Sequence, residues 1–134
     1  MTGDPWMTMC VHGNTGLVRL FSGDIDHARQ AFDSAVRLCA RHAFASDANE
    51  GLVGLAAVAA TQGRHETAAM LRGAARAAGY PPTTFDQRID HRLERVFFAS
   101  ARISHGETAW DNAEQAGATL HYQQAIAYAL QQPA

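Results

Sequence analysis

The sequence contains no lysine, so its positive charge comes from 11 arginines, which 13 acidic residues outnumber. A formal charge of −2 gives no electrostatic reason to expect nucleic-acid binding, because proteins that bind nucleic acids present a basic surface. Two cysteines, Cys10 and Cys39, are too few for a disulfide framework, and we interpret them as buried free thiols. No signal peptide is visible, and no apolar run approaches the roughly 20 residues that cross a bilayer. We therefore expect a cytoplasmic protein with no membrane partner and no direct DNA binding.

Motifs for catalysis and cofactor binding are missing as well. The sequence has no GxxxxGK[ST] loop, no nucleophile elbow, no zinc-ligand spacing and no paired Glu-x-x-His motifs, so we interpret its histidines as solvated or capping residues. Six charged residues fall side by side at helical spacing, namely Asp86, Asp90 and Glu94 beside Arg88, Arg92 and Arg95. We interpret them as a solvated face with mixed ion pairs, because a catalytic carboxylate pair needs burial to shift its pKa. We predict no enzymatic activity, no cofactor and no metal.

The composition is that of an ordinary folded domain. Hydrophobic residues make up 47% and charged residues 18% of the 134 residues, a balance typical of globular proteins. A chain of this length forms one domain that buries roughly two-thirds of its unfolded surface. Apolar residues recur at helical spacing and no alternating strand pattern competes, so the sequence predicts an all-α domain.

The helical pattern divides the single domain, residues 1–134, into four parts. A lead-in covers residues 1–5, a first hairpin residues 6–45 and a second hairpin residues 46–79, and closing helices follow over residues 84–131. Side-chain caps are expected at the helix starts, at Asp4, Asp24, Asp47 with Glu50, Thr84 with Gln87, and Thr119.

Each helix is expected to bury one apolar stripe. On the two helices of the second hairpin the stripes are Leu52, Leu55, Ala56, Ala59 and Ala60, then Ala68, Leu71, Ala75 and Ala78. On the long closing helix the stripe is Phe85, Ile89, Leu93, Val96 and Ile103. The last helix is expected to bury Tyr122, Ile126, Ala129 and Leu130. Trp110 is expected to seal the bundle beneath Tyr128 or Leu130.

The two hairpins match each other at a period of about 40 residues. Aligning Gly23 with Gly63 places small residues on small residues, Ala28 on Ala68, Ala35 on Ala75 and Gly16 on Ala56, whereas Arg72 stands where the first hairpin has Phe32. Gly16 is expected to allow close packing of a neighbouring helix, with a fray or kink near Gly13 as the alternative. The pattern predicts tetratricopeptide-like antiparallel hairpins in a right-handed superhelix of about seven helices.

A longer series of motifs resembles a known family. The series comprises the run Ala68 to Ala75, Pro81-Pro82, a helix from Thr84, Gly106-Glu107 with Trp110 and Ala113, and Ala127-Tyr128-Ala129-Leu130. Over about Gly16 to Leu130 the chain resembles the C-terminal tetratricopeptide-like region of LuxR-type and adenylate-cyclase-like ATPase transcriptional regulators. The resemblance implies an interaction or signal-coupling module. It implies neither ATP hydrolysis nor promoter binding, because the ATP-binding loop and the helix-turn-helix are missing. We expect a free-standing relative, a gene remnant or a fragment of a longer regulator.

The first helix carries too many apolar residues for one stripe, which predicts an interaction surface. The candidate residues are Trp6, Met9, Leu17, Leu20 and Phe21. With no upstream helix to cover it, we expect this helix to form a homodimer or to bind another protein. The alternative function is a small-ligand (inducer) sensor, in which Arg64, Arg72 and Arg76 contact an anion. A lining of arginines around a pocket favours the sensor, and an exposed apolar face favours the interaction module.

Overall fold

The computed structural model describes residues 4–42 and 48–132. Within these two ranges the chain forms seven helices and no strand, which confirms the predicted all-α class. The first four helices are α1 (Pro5–Phe21), α2 (Ile25–Arg41), α3 (Asn49–Thr61) and α4 (His65–Ala77). Helix α5 joins the segments Thr84–Leu93, Glu94–Phe98 and Ala99–His105, of which the middle one is π-helical, and it is followed by α6 (Glu107–Ala118) and α7 (Tyr122–Leu130). The helices pack as antiparallel neighbours, most extensively α1 with α2, α3 with α4, and α4 with α6.

The turns of the two hairpins repeat each other at the predicted offset. Gly23 and Gly63 both adopt a positive φ, +88° and +76°, which favours glycine. In both turns the N–H that follows the glycine donates to the carbonyl five residues earlier, at 2.9 Å. The aligned small residues are all buried, at Gly16 and Ala56, Ala28 and Ala68, and Ala35 and Ala75. The 40-residue period is therefore present in the backbone hydrogen bonds as well as in the sequence.

Helix α1 is continuous and packs closely on α2. Asp4 caps it, since its carboxylate accepts from the Trp6 N–H at 2.9 Å, and Pro5 occupies the first turn as predicted. The helix continues through Gly13 without a break. A methyl group on Gly16 would lie 2.6 Å from the Phe32 ring, so the absent side chain is what allows this ring to fit between the helices.

Helix α3 is the central helix and is buried on every side. The sequence predicted one buried apolar stripe on this helix, whereas every residue from Gly51 to Ala59 is buried. The sequence between Glu50 and Gln62 contains no charged side chain, so no face of the helix requires water. The other hairpin helices and α7 pack around it.

The buried face of α5 differs from the predicted stripe. The side chains that enter the core are Asp90, Leu93, Phe98 and Ala101, whereas Phe85, Val96 and Ile103 are exposed. The π-helical segment inserts an additional residue into one turn, so the buried position after Leu93 is five residues on rather than three or four. The predicted assignment of Val96 and Ile103 to the core was wrong because they lie in or after this turn, and that of Phe85 was wrong because it lies at the exposed start of the helix.

Helix α7 buries a narrower stripe than predicted. Ile126 and Ala129 are buried together with Ala125, whereas Tyr122 and Leu130 are only partly buried. The helix spans nine residues, so its ends lie at the surface and only its middle faces the core.

Two predicted caps shift along the chain. The cap of α5 is Thr83 rather than Thr84, and its hydroxyl accepts from the N–H three residues on at 3.0 Å. The cap of α7 is His121 rather than Thr119, whose hydroxyl donates instead to a carbonyl of α6 at 2.7 Å. In both cases a side-chain cap is present, but it lies one or two residues from the predicted position. The predicted cap at Asp24 is present, and Asp47 lies outside the described residues.

Candidate functional site

An apolar groove runs between α1 and α5, and we call it the α1/α5 groove. It is open to solvent, has a volume of about 380 Å³, and is lined by Asn14, Leu17, Val18, Phe21, Phe85, Ile89 and Arg92. The two helices run in the same direction, since Trp6 and Asp86 border one small pocket while the rings of Phe21 and Phe97 lie 5.8 Å apart at the other end.

Helix α1 contributes to the groove because its apolar residues occupy two faces. Met9 and Leu20 face α2 and are buried, and the Met9 Sδ lies 3.0 Å from the Cys39 Sγ. These two residues were predicted in the interaction surface, and that assignment was wrong because they share a helical face with Gly16, which packs on α2. Leu17 and Phe21, also predicted, are half-buried and line the groove.

Helix α5 contributes the other wall of the groove. Phe85 retains 68% of its surface exposed, and Val18 on the facing helix retains 69%. Ile89 is half-buried between them. Side chains of this size and exposure on two facing helices form a continuous apolar surface rather than isolated exposed residues.

Three arginines run along the α5 edge of the groove, and one of them, Arg92, lines it. The Arg92 guanidinium lies over the Phe21 ring, 4.0 Å from its centre. This contact places a positive charge at the border of the apolar surface. Arg88 and Arg95 stand one helical turn before and after it and are exposed. In the part of the chain that the structure describes, none of these three arginines forms an ion pair with a carboxylate. Helix α1 contains no acidic residue at all.

Trp6, the remaining predicted surface residue, lies apart from the groove. It is 42% exposed and borders a separate pocket of about 200 Å³ with Glu50 and Asp86. Partial desolvation in this pocket, and then the neighbouring Asp86 carboxyl, raise the pKa of Glu50, which stays in contact with solvent.

The three arginines predicted to contact an anion do not converge on one cavity. Arg64 precedes α4 and donates to the Gln62 side chain at 2.6 Å. Arg72 is buried, with 2% of its surface exposed. Arg76 is at the surface, and its Nη2 lies 3.6 Å from a carboxylate oxygen of Asp90. The protein itself therefore supplies the partners of Arg72 and Arg76.

An ion network around the buried Arg72 joins α4, α5 and, through Glu114 at 3.9 Å, α6. Arg72 forms an ion pair with Glu94, in which Nη1 lies 2.5 Å from Oε1. Arg102 completes the network with two hydrogen bonds to Glu94, at 2.6 and 2.9 Å. The Arg102 hydrogen bonds, and then the charge of Arg72, lower the pKa of Glu94 to about 2, against an opposing effect of burial. Burial lowers the pKa of the Arg72 guanidinium.

The acidic row on α5 is therefore not a solvated face. Asp90 is 7% exposed, its Oδ1 has no hydrogen-bond partner among the described residues, and Glu94 is held between two arginines. The interpretation as a solvated face was wrong for these two carboxylates because α5 turns them towards α4. Burial and the nearby Asp90 carboxylate also raise the pKa of the buried Tyr80 phenol.

Trp110 is fully buried, as predicted, but has other neighbours than expected. Its ring centre lies 6.2 Å from that of Phe98, and the Arg102 guanidinium lies 5.5 Å from it. Its indole N–H donates to Glu114 Oε1 at 3.0 Å. Trp110 thus packs beneath the ion network.

The described residues contain no group of three or more His, Cys, Asp or Glu side chains placed to hold a metal ion. Among the histidines, His121 caps α7, His27 contacts Asp24 at 2.8 Å, and the rings of His65 and His105 meet edge to face. None of the helices in the described ranges has the length and apolar character needed to cross a membrane.

Sequence reasoning missed the α5 side of the groove and the ion network. Phe85 and Ile89 have the spacing of a core stripe with Leu93, but they lie near the start of α5, where Phe85 is exposed and Ile89 is half-buried. A signal for the network was present in Arg72, which replaces the Phe32 of the first hairpin at a buried position of the repeat. A buried arginine requires carboxylate partners, and Glu94 and Glu114 are the ones that the fold provides.

Comparison of the chain with protein-family models, with curated proteins and with solved structures found no match.

Proposed function

We propose that the chain is a non-enzymatic protein–protein interaction module with a regulatory role, and that the α1/α5 groove is its binding surface. The observation that carries this proposal is the exposure of large apolar side chains on two facing helices, above all Val18 and Phe85. An apolar surface that a domain leaves open to water is a mark of an interaction site.

The shape of the groove suits a helix. Two adjacent helices that run in the same direction leave a linear depression, into which an amphipathic helix places side chains at positions i, i+4, i+7 and i+11. The rings of Phe85 and Phe21 supply rigid aromatic contacts of the kind that dominate binding energy at interfaces. We infer that the partner is an α-helical segment of another protein.

The anion-sensing alternative receives less support. Arg72 and Arg76 are engaged by carboxylates of the same chain, and Arg64 lies at the opposite end of α4 from Arg76. An incoming anion would have to compete with these internal partners. We also infer that the two repeated hairpins are tetratricopeptide-like and related to the helical region of LuxR-type regulators, on the basis of their 40-residue period and the resemblance above.

Methyl NMR with a designed helical peptide tests the proposal. The probe has roughly 18 residues, about 27 Å of helix, with leucine at positions i, i+4, i+7 and i+11 and glutamine elsewhere. We expect its addition to shift the methyl signals of Leu17, Val18 and Ile89 while leaving that of Ile103 in place.

The exposed Ile103 serves as the internal control, because 77% of its surface is open to water at the far end of α5. Shifts at Ile103 alone, or no shifts at millimolar peptide, would contradict the proposal. If the groove methyls instead shift with protein concentration in the absence of peptide, a second copy of the chain is the occupant, as in the predicted homodimer.

A further inference from the structure

We infer that the helix bound in the α1/α5 groove is acidic, with carboxylates beside its apolar stripe that pair with Arg88, Arg92 and Arg95. This inference rests on the proposed function and specifies the chemistry of the partner. The apolar lining of the groove gives affinity for any amphipathic helix, whereas the arginines select among such helices by charge.

The charge around the groove differs in sign from that of the whole chain. The formal charge of the protein is −2, yet the α5 edge carries three arginines at steps of four and three residues. The opposite edge offers no compensation, since Pro5–Phe21 contains Arg19 and no carboxylate. Asp90 and Glu94 of α5 face away from the groove and contact arginines of α4 and of α5 itself, and Asp86 borders the separate pocket beside Trp6.

Some other arginines of the chain have carboxylate partners: Arg19 contacts Asp24, Arg37 contacts Asp33, and Arg102 contacts Glu94. Among the described residues, Arg29, Arg41 and Arg64 form no ion pair with a carboxylate, but they do not lie beside the groove. At the groove edge, the described residues place no carboxylate on Arg88, Arg92 or Arg95. A guanidinium presents several donors in a planar fork, which suits carboxylates supplied by another molecule.

The same charges disfavour two other occupants. A second copy of the chain docking groove to groove would bring two arginine-rich edges together, and like charges across an interface oppose association. A flat anionic membrane would meet the arginines but would not fill a depression between two helices.

Three peptides that differ only in charge test the inference. Each has the leucine spacing of the NMR probe, and the positions that flank the leucines are glutamate, glutamine or lysine. Measured by fluorescence anisotropy at low salt, the glutamate peptide should bind roughly tenfold tighter than the lysine peptide, with the glutamine peptide between them. This difference should shrink as the Debye length falls from about 10 Å at 0.1 M salt to about 3 Å at 1 M.

Two charge-matched double variants locate the effect. Arg88→Gln with Arg95→Gln removes two charges from the groove edge and should lower the affinity for the glutamate peptide by roughly fivefold or more. Arg37→Gln with Arg41→Gln removes the same charge from exposed positions of α2 and should leave the affinity within about twofold. The lysine peptide should not lose affinity in either variant.

The possible results separate the two proposals. Equal binding of the three peptides at the groove would overturn the acidic-partner inference and leave the proposed function intact. Failure of all three to bind would remove the proposed function and the inference with it. Equal losses in the two double variants would show that net charge, not the groove edge, attracts the peptide. Binding to vesicles with 30% anionic lipid but to none of the peptides would assign the arginines to a membrane and overturn both.

Discussion

Replacing either of two glycines at the crossing of α4 and α6 by alanine should destabilise the protein. A methyl group on Gly73 would overlap the backbone carbonyl of Glu114, and one on Gly117 would overlap the backbone carbonyl of Met70. Neither carbonyl can move aside by a change of rotamer, because each belongs to a regular helix. The two helices approach each other through these paired glycines, and their mutual packing is among the most extensive in the domain.

The expected magnitude follows from two opposing effects. Alanine gains about 1 kcal/mol over glycine in a helix interior. Against this, overpacking a close contact typically costs 1–3 kcal/mol, and a backbone clash lies at or above the upper end of about 3 kcal/mol. We therefore expect a net loss of about 2 kcal/mol for each substitution, a substantial part of the roughly 5–15 kcal/mol that stabilises a domain.

Urea denaturation followed by far-UV circular dichroism measures this loss. Gly13→Ala is the matched control, since Gly13 lies within α1 and a methyl group there would have nothing within 4 Å. It should raise the free energy of unfolding by about 0.5–1 kcal/mol. If Gly73→Ala and Gly117→Ala were also neutral or stabilising, the close crossing of α4 and α6 described here would be wrong.

Three further predictions concern stability. Trp110→Ala should lower the free energy of unfolding by about 3–5 kcal/mol, because it empties the space beneath the ion network; a melting temperature equal to that of the parent would place Trp110 at the surface. Thr83→Ala should lower the free energy of unfolding by about 1 kcal/mol through loss of the helix cap, whereas Thr84→Ala should change it little in the same thermal melts. A larger loss for Thr84→Ala than for Thr83→Ala would support the cap at Thr84 that the sequence predicts. The depressed pKa of Glu94 stabilises the fold above its ordinary value of 4.5, and this contribution is lost as the pH falls towards about 2. Discounted for solvent screening it amounts to about 1–2 kcal/mol, so Glu94→Gln should flatten the decline in stability between those pH values; an unchanged pH profile would argue against the network.

The hairpins were predictable because local chemistry and packing agree there. The Asp4 and Asp24 caps, the turn at Gly23 and the close contact at Gly16 each follow from residue type and spacing alone. The repeat at Gly63 adds a second instance of the same turn. In these segments a helical period of 3.6 residues applies without interruption, so sequence spacing converts directly into position on a face.

The groove was only half predictable, for a reason that lies in α5. The excess of apolar residues on α1 correctly indicated exposed ones, but spacing alone did not separate Leu17 and Phe21 from the buried Met9 and Leu20. On α5 the π-helical turn changes the phase of the helix after Leu93, so Val96 and Ile103 leave the buried face. Phe85 lies before this turn, at the start of the helix, where it is exposed. A change of phase depends on tertiary packing, and no residue pattern in the sequence marks it.

The affinity of the glutamine-flanked helical peptide for two aspartate variants tests the role of the groove most directly. Phe85→Asp alters the groove wall, and Ile103→Asp alters an equally exposed apolar residue of the same helix outside the groove. We expect Phe85→Asp to weaken binding tenfold or more, about 1.4 kcal/mol, as the loss of a buried aromatic contact requires, while Ile103→Asp leaves the dissociation constant within about twofold. Equal affinities for the parent protein and both variants, or equal losses in the two variants, would contradict the assignment of the α1/α5 groove as the binding surface.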